Sequence, residues 1–92
     1  MPQPRRRHVQ PESGPEKAFG KALQEFRKTR DVSQERLGLI AELDRTYISL
    51  VERGLRSPTI RTVVLLAEVL EVRPSEIVRR MEELLPKWRR SA

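Results

Sequence analysis

The sequence predicts an all-α protein of five short helices, and three observations predict it. From Phe19 onward the large apolar residues recur with the 3.6-residue period of a helix rather than the two-residue period of a strand. Each periodic run is preceded by Ser, Asp, Thr or Pro, residues that open helices, and Gly54 and Pro86 stand where two of the runs end. No stretch alternates apolar and polar residues for long enough to argue a strand, and no internal repeat is present.

Residues 1–15 hold four of the chain's seven prolines and almost no large apolar side chain, so they read as a flexible basic arm. The first helix starts at Glu16, with Phe19, Leu23 and Phe26 on one face, and runs to about Arg30. Asp31 and Val32 make a turn, and Ser33 is placed to cap a second helix, Gln34–Ala41, whose inward residues are Leu37 and Ala41. Asp44 caps a third, Arg45–Arg53, with Leu43 positioned to staple onto Ile48 and Gly54 closing it. After Ser57-Pro58-Thr59, a fourth helix reaches Leu70 with Ile60, Val63, Leu66, Ala67 and Leu70 expected inside. Pro74 suits the first turn of a fifth. Its stripe is Ile77, Met81, Leu84, Leu85 and Trp88, and Pro86 should end or kink it. The domain is therefore 16–86, followed by a basic tail, 87–92.

Composition narrows the function. There is no cysteine, which excludes disulfides, thiol catalysis and sulfur-ligated metal. His8 is the sole histidine and has no second ligand or nucleophile beside it, so neither a metal nor any other cofactor is expected. No paired carboxylates, glycine-rich phosphate loop or nucleophile set points to an enzyme. No apolar run approaches the roughly 18 residues of a membrane span, and no signal peptide is visible, so the expectation is a soluble, cytoplasmic protein with no membrane partner. The net charge is +6, yet residues 16–86 carry only +1 of it. Within them, four arginines between Arg45 and Arg61 face Glu52 alone, whereas Glu68 to Glu83 hold five glutamates against three arginines. The basic surface is local, which points to nucleic acid bound around the third helix.

Two short helices joined by the three residues Glu42-Leu43-Asp44 have the spacing of a helix-turn-helix. Arg45 and Thr46 open the second of these helices, where a recognition helix meets base edges, while Ile48 and Val51 anchor it. The run SQERLGLIAELDRTYISLVERGLRSPTIRTVVLLAEVLEV resembles the phage-repressor and Cro-type, or xenobiotic-response-element, helix-turn-helix family. Its segments LDRTYIS, ERG and TI are also similar to the controller proteins of restriction–modification systems.

The resemblance implies a five-helix repressor-like fold, and a homodimer bound to a palindromic double-stranded DNA operator with Arg45–Arg53 in the major groove. Gln34 resembles the family glutamine that grips a phosphate and braces the recognition helix. Arg45 and Thr46 match the base-reading positions, and an arginine can bind guanine O6 and N7 together. Tyr47 and Ser49 match phosphate or secondary base contacts, although Tyr47 also suits packing over the turn. Arg56 matches a backbone contact, and Arg27 with Glu52 a family ion pair. Three positions depart from the pattern. Gly38 replaces alanine and is expected to weaken its helix by about 1 kcal/mol. Glu42 replaces a turn glycine, and Leu50 stands where a polar reader is common.

For the homodimer, Val64, Leu65 and Val69 on the fourth helix and Val78, Leu85 and Trp88 on the fifth are surplus to one inward stripe. Trp88 equally suits a lid on its own subunit. Arg5-Arg6-Arg7 are either a solvated tail or a DNA-tracking arm. The alternative function is an antitoxin or bridging module on the same fold, with a protein partner held through the tails.

Overall fold

The computed structural model describes residues 14–85. Five helices follow in order: α1 Pro15–Thr29, α2 Gln34–Ala41, α3 Arg45–Glu52, α4 Ile60–Leu70 and α5 Pro74–Leu84. There is no strand among the described residues. α1 lies at the centre, against α3 on one side and α5 on the other, while α2 bridges α3 and α4, and α4 also touches α5. The core is the set of stripes read from the period: Leu23, Leu37, Ile48, Val51, Leu66, Leu70 and Ile77 are buried. Phe26, Val63, Met81 and Leu84 pack half-buried around them.

The start signals act as their chemistry dictates. The hydroxyl of Ser33 accepts from the Arg36 amide at 2.9 Å, Asp44 Oδ1 from Thr46 at 3.1 Å, and Thr59 Oγ1 from Thr62 at 3.1 Å. Each satisfies a backbone donor that a helix N-terminus leaves unpaired. α1 and α5 carry proline in the first turn instead, where the missing N–H costs nothing.

The stops are less conventional. Four helices close with the same motif, in which the amide just after a left-handed residue reaches back to a carbonyl five residues earlier. The bonds are Val32 to Arg27 at 3.1 Å, Leu43 to Gly38 at 2.8 Å, Leu55 to Leu50 at 2.8 Å and Val72 to Ala67 at 3.0 Å. The motif requires positive φ, yet only Gly54 supplies it as glycine; Asp31, Glu42 and Glu71 take φ of 60°. Each non-glycine case costs about 1–2 kcal/mol locally. The compensation follows directly: Val32, Leu43 and Val72, one residue further on, all pack onto the core. Leu55, after the glycine, stays exposed.

Two expectations change. Ile60 is 81% exposed rather than inward. It is the first residue of α4, and helical side chains lean toward the N-terminus, so it overhangs the end of the core. Gly38 is not simply a weak spot: a Cβ there would stand 2.6 Å from the Leu43 carbonyl oxygen, so the α2–α3 turn needs the missing side chain. Leu65 and Val69 are half-buried against the core, whereas Val64 and Val78 are exposed. Leu85 is half-buried at the end of α5, and Pro86, Trp88 and the arm residues 1–13 lie outside the described residues.

A surface latch holds α5 to α1. Arg80 donates to Glu25 at 2.7 and 3.3 Å and to Glu83 at 3.0 Å. The hydrogen bond from Arg80 holds the Glu25 carboxyl below the usual carboxylate range. A second pair, Arg30 with Glu71 at 3.2 Å, ties the end of α1 to the end of α4.

Candidate nucleic-acid interface

The sequence of α3 divides its surface in two. Ile48 and Val51 are buried to 0% exposure, so the helix cannot rotate without exposing them. That leaves Arg45 and Thr46 exposed on its first turn, with Tyr47, Ser49 and Leu50 half-buried beside them. Asp44 fixes where the helix starts by capping the Thr46 amide, so the two exposed side chains leave a rigid first turn. An arginine and a threonine projecting from a helix N-terminus can hydrogen-bond base edges and meet a thymine methyl.

The C-terminal end of α3 is fastened to two other helices through Glu52. Arg27 of α1 donates through Nε to Oε2 at 2.5 Å and through Nη2 to Oε1 at 3.0 Å. The Gln34 side chain of α2 donates to the same Oε1 at 2.9 Å. Arg27 Nη1 also reaches the Val32 carbonyl at 2.7 Å, at the turn into α2. The carboxylate is 1% exposed and the guanidinium 9%, so this is a buried, bidentate pair with its remaining positions filled. It makes the relative placement of α1, α2 and α3 a single unit. Gln34 thus braces α3 directly, with one of its two amide N–H donors given to Glu52.

Glycine supplies the close approach that this unit needs. A Cβ on Gly20 would collide with the Val51 and Glu52 carbonyls, so α1 and α3 touch backbone to backbone. A Cβ on Gly54 would stand 2.8 Å from the Lys17 Cα, which places the first turn of α1 beside the end of α3. Gly20 was not singled out from the sequence. A lone glycine within a helical apolar period is the signal that would have found it.

Around α3 the charge is basic. Arg53 and Arg56 are exposed on the residues that follow it. The Arg56 guanidinium lies 5.3 Å from the centre of the Tyr47 ring, a cation–π contact worth about 0.5–1 kcal/mol at an exposed site. The Tyr47 ring is half-buried against the core and holds the Arg56 guanidinium beside it. Gln34, Arg45, Thr46, Tyr47, Ser49 and Arg56 accordingly fall in α2, α3 and the loop after it. Among the described residues no group of three or more His, Cys, Asp or Glu side chains is arranged to hold a metal.

Comparison with known proteins agrees with this geometry. The helix-turn-helix family profile matches residues 23–77. Control protein C.BamHI of Bacillus amyloliquefaciens is 33% identical over 61 residues, covering 65% of this chain and 75% of the relative. The crystal structure of the restriction-modification controller protein C.AhdI of Aeromonas hydrophila superposes with a TM-score of 0.65 at 38% identity, over 66% of this chain and 92% of that one. Restriction-modification controller protein C.Esp1396I, solved as a tetramer with its natural 35 base-pair operator, superposes with a TM-score of 0.68 at 29% identity, over 75% of this chain and 91% of that one. The chain belongs to the helix-turn-helix family of DNA-binding transcription regulators, with restriction–modification control proteins among its relatives.

Proposed function

We propose that this chain regulates transcription by binding a palindromic operator as a homodimer, one α3 in the major groove of each half-site. The observation that carries the reading is the immobilised α3, with Ile48, Val51 and Glu52 buried and Arg45 and Thr46 alone thrust outward from its first turn. Arg45 and Thr46 read bases, Ser49 adds a contact from the next turn, and Gln34, Tyr47 and Arg56 meet phosphates on either side. Gln34 Nε2 gives one N–H to Glu52 and keeps a second for a phosphate oxygen, directly or through a bridging water.

A single domain of this size reads too few base pairs for useful genomic specificity, and two-fold pairing doubles the site. The exposed Val64 and Val78 supply apolar surface for that pairing, with Leu65, Val69 and Leu85 half-buried next to it and Trp88 beyond the described residues. No helix among the described residues is long and apolar enough to cross a membrane. As a regulator acting on DNA, it would work in the cytoplasm.

Selection from a pool of random duplexes tests this. The recovered sites should be inverted repeats with half-sites about 34–36 Å apart, one helical turn or a multiple. In Arg45→Ala, affinity should fall by about 1–3 kcal/mol, with preference relaxed at one base pair per half-site. A pool that yields no enriched sequence would instead favour an antitoxin or bridging module. An unchanged preference profile in the variant would remove Arg45 from the reading set.

A further inference from the structure

We propose that the outer face of α4 is a self-complementary seam with a defined register. Two copies of the chain lay their α4 helices antiparallel about a two-fold axis between Val64 and Leu65, and Arg61 of each protomer faces Glu68 of the partner subunit. The proposal rests on the homodimer reading above and specifies how that dimer is joined.

The face itself is on the side of α4 away from the core. Leu66, Ala67 and Leu70 are buried, while Ile60, Arg61, Val64, Leu65 and Glu68 line one open groove on the opposite side. Val64 is 47% exposed at the centre of this face, and Ile60, 81% exposed, lies at its outer end, so a single copy leaves both in water. When identical helices pair antiparallel about a two-fold axis, residues equally far from the axis on either side face each other. An axis between Val64 and Leu65 puts Arg61 and Glu68 at the same height, about 5 Å from it at 1.5 Å per residue. It also brings Val64 against Leu65 of the partner subunit. The result is an apolar centre flanked by two identical ion pairs.

A second observation comes from the charges. Arg61 stands in the first turn of α4 and Glu68 near its end. Both signs are wrong for the helix macrodipole, which favours acidic residues at the start and basic ones at the end. Among the described residues neither takes part in an ion pair, although Glu25, Arg30, Glu71, Arg80 and Glu83 all do. Within one copy the two charges are therefore unfavourable and unused. Across the axis each has a partner.

The inverted dipole logic makes the test clean. Arg61→Glu and Glu68→Arg each improve the electrostatics of isolated α4, so a lost dimer cannot be ascribed to a damaged fold. Both residues are exposed, and circular dichroism should show unchanged helix content. Sedimentation equilibrium of the full chain without DNA is the readout, which keeps any phosphate contact of Arg61 out of the measurement. Wild type should be a dimer at micromolar concentration. Each single variant places like charges opposite at two points and should weaken dimerisation about tenfold or more. The variant carrying both changes restores two ion pairs and should dimerise again. Mixing the two single variants should give a heterodimer, since one then presents two acids and the other two bases.

A wild-type dimer unaffected by either single change would overturn this register and leave the operator reading standing. A wild type that is monomeric both free and on its selected operator would overturn the homodimer reading itself.

Discussion

Replacing Arg27 by methionine removes the cation from the buried pair while keeping an unbranched side chain in its channel. Glu52 is then left 1% exposed with one remaining side-chain donor, the Gln34 amide at 2.9 Å. Breaking a buried pair by removing one partner costs about 3–5 kcal/mol, because the other charge stays desolvated without its counter-ion. The surviving Gln34 bond puts the expected loss near the lower end. Small domains have only about 5–15 kcal/mol in total, so Arg27→Met should forfeit a large fraction of it. At about 4–8 °C per kcal/mol for a domain of this length, Tm should fall on the order of 12 °C or more. Urea unfolding followed by circular dichroism measures the loss directly, with the midpoint lowered and the slope unchanged. The informative control is the double variant Arg27→Met with Glu52→Leu. It removes both charges together and should recover to within about 1 kcal/mol of wild type. If Arg27→Met costs less than about 1 kcal/mol, the pair behaves as an exposed one. A double variant no better than the single would refute this, since the loss would then come from packing and not from the orphaned carboxylate.

Two further outcomes follow from particular contacts. Gly38→Ala should lower stability by about 1–3 kcal/mol despite alanine's better helix propensity, because its Cβ would press on the Leu43 backbone oxygen at 2.6 Å; a variant that melts higher than wild type would show that the turn gives way freely. Deleting residues 1–13 should flatten the dependence of log affinity on log salt by up to about 2.7 units per subunit, one phosphate for each of Arg5, Arg6 and Arg7. Sequence preference should survive the deletion. The expectation draws on Lys17, which sits against Gly54 and so starts α1 beside the end of α3; equal slopes for the two proteins would leave the arm no part in binding.

What the sequence determined by itself is the part governed by neighbours along the chain. Helical period, the capping hydroxyl of Ser33, the carboxylate of Asp44 and the proline of Pro74 act within a few residues, so the element order was legible without coordinates. The proposed readers, Arg45 and Thr46, were legible for the same reason, since they occupy the first turn of a helix whose opposite face is apolar. Tertiary structure decided what depends on distance between elements. Ile60 keeps the inward period, yet its neighbours end before it does, and period alone carries no information about where the opposing surface stops. Gly20 and Gly38 look like weak points in their own helices and become necessary only because another segment's carbonyls arrive at the missing Cβ. Glu42 and Glu71 accept left-handed backbone because the apolar residue after each gains the core, a compensation visible only when that core is assembled. Local propensity is additive along a chain; close approach is set by three-dimensional packing, where a single absent methyl fixes how near two backbones can come.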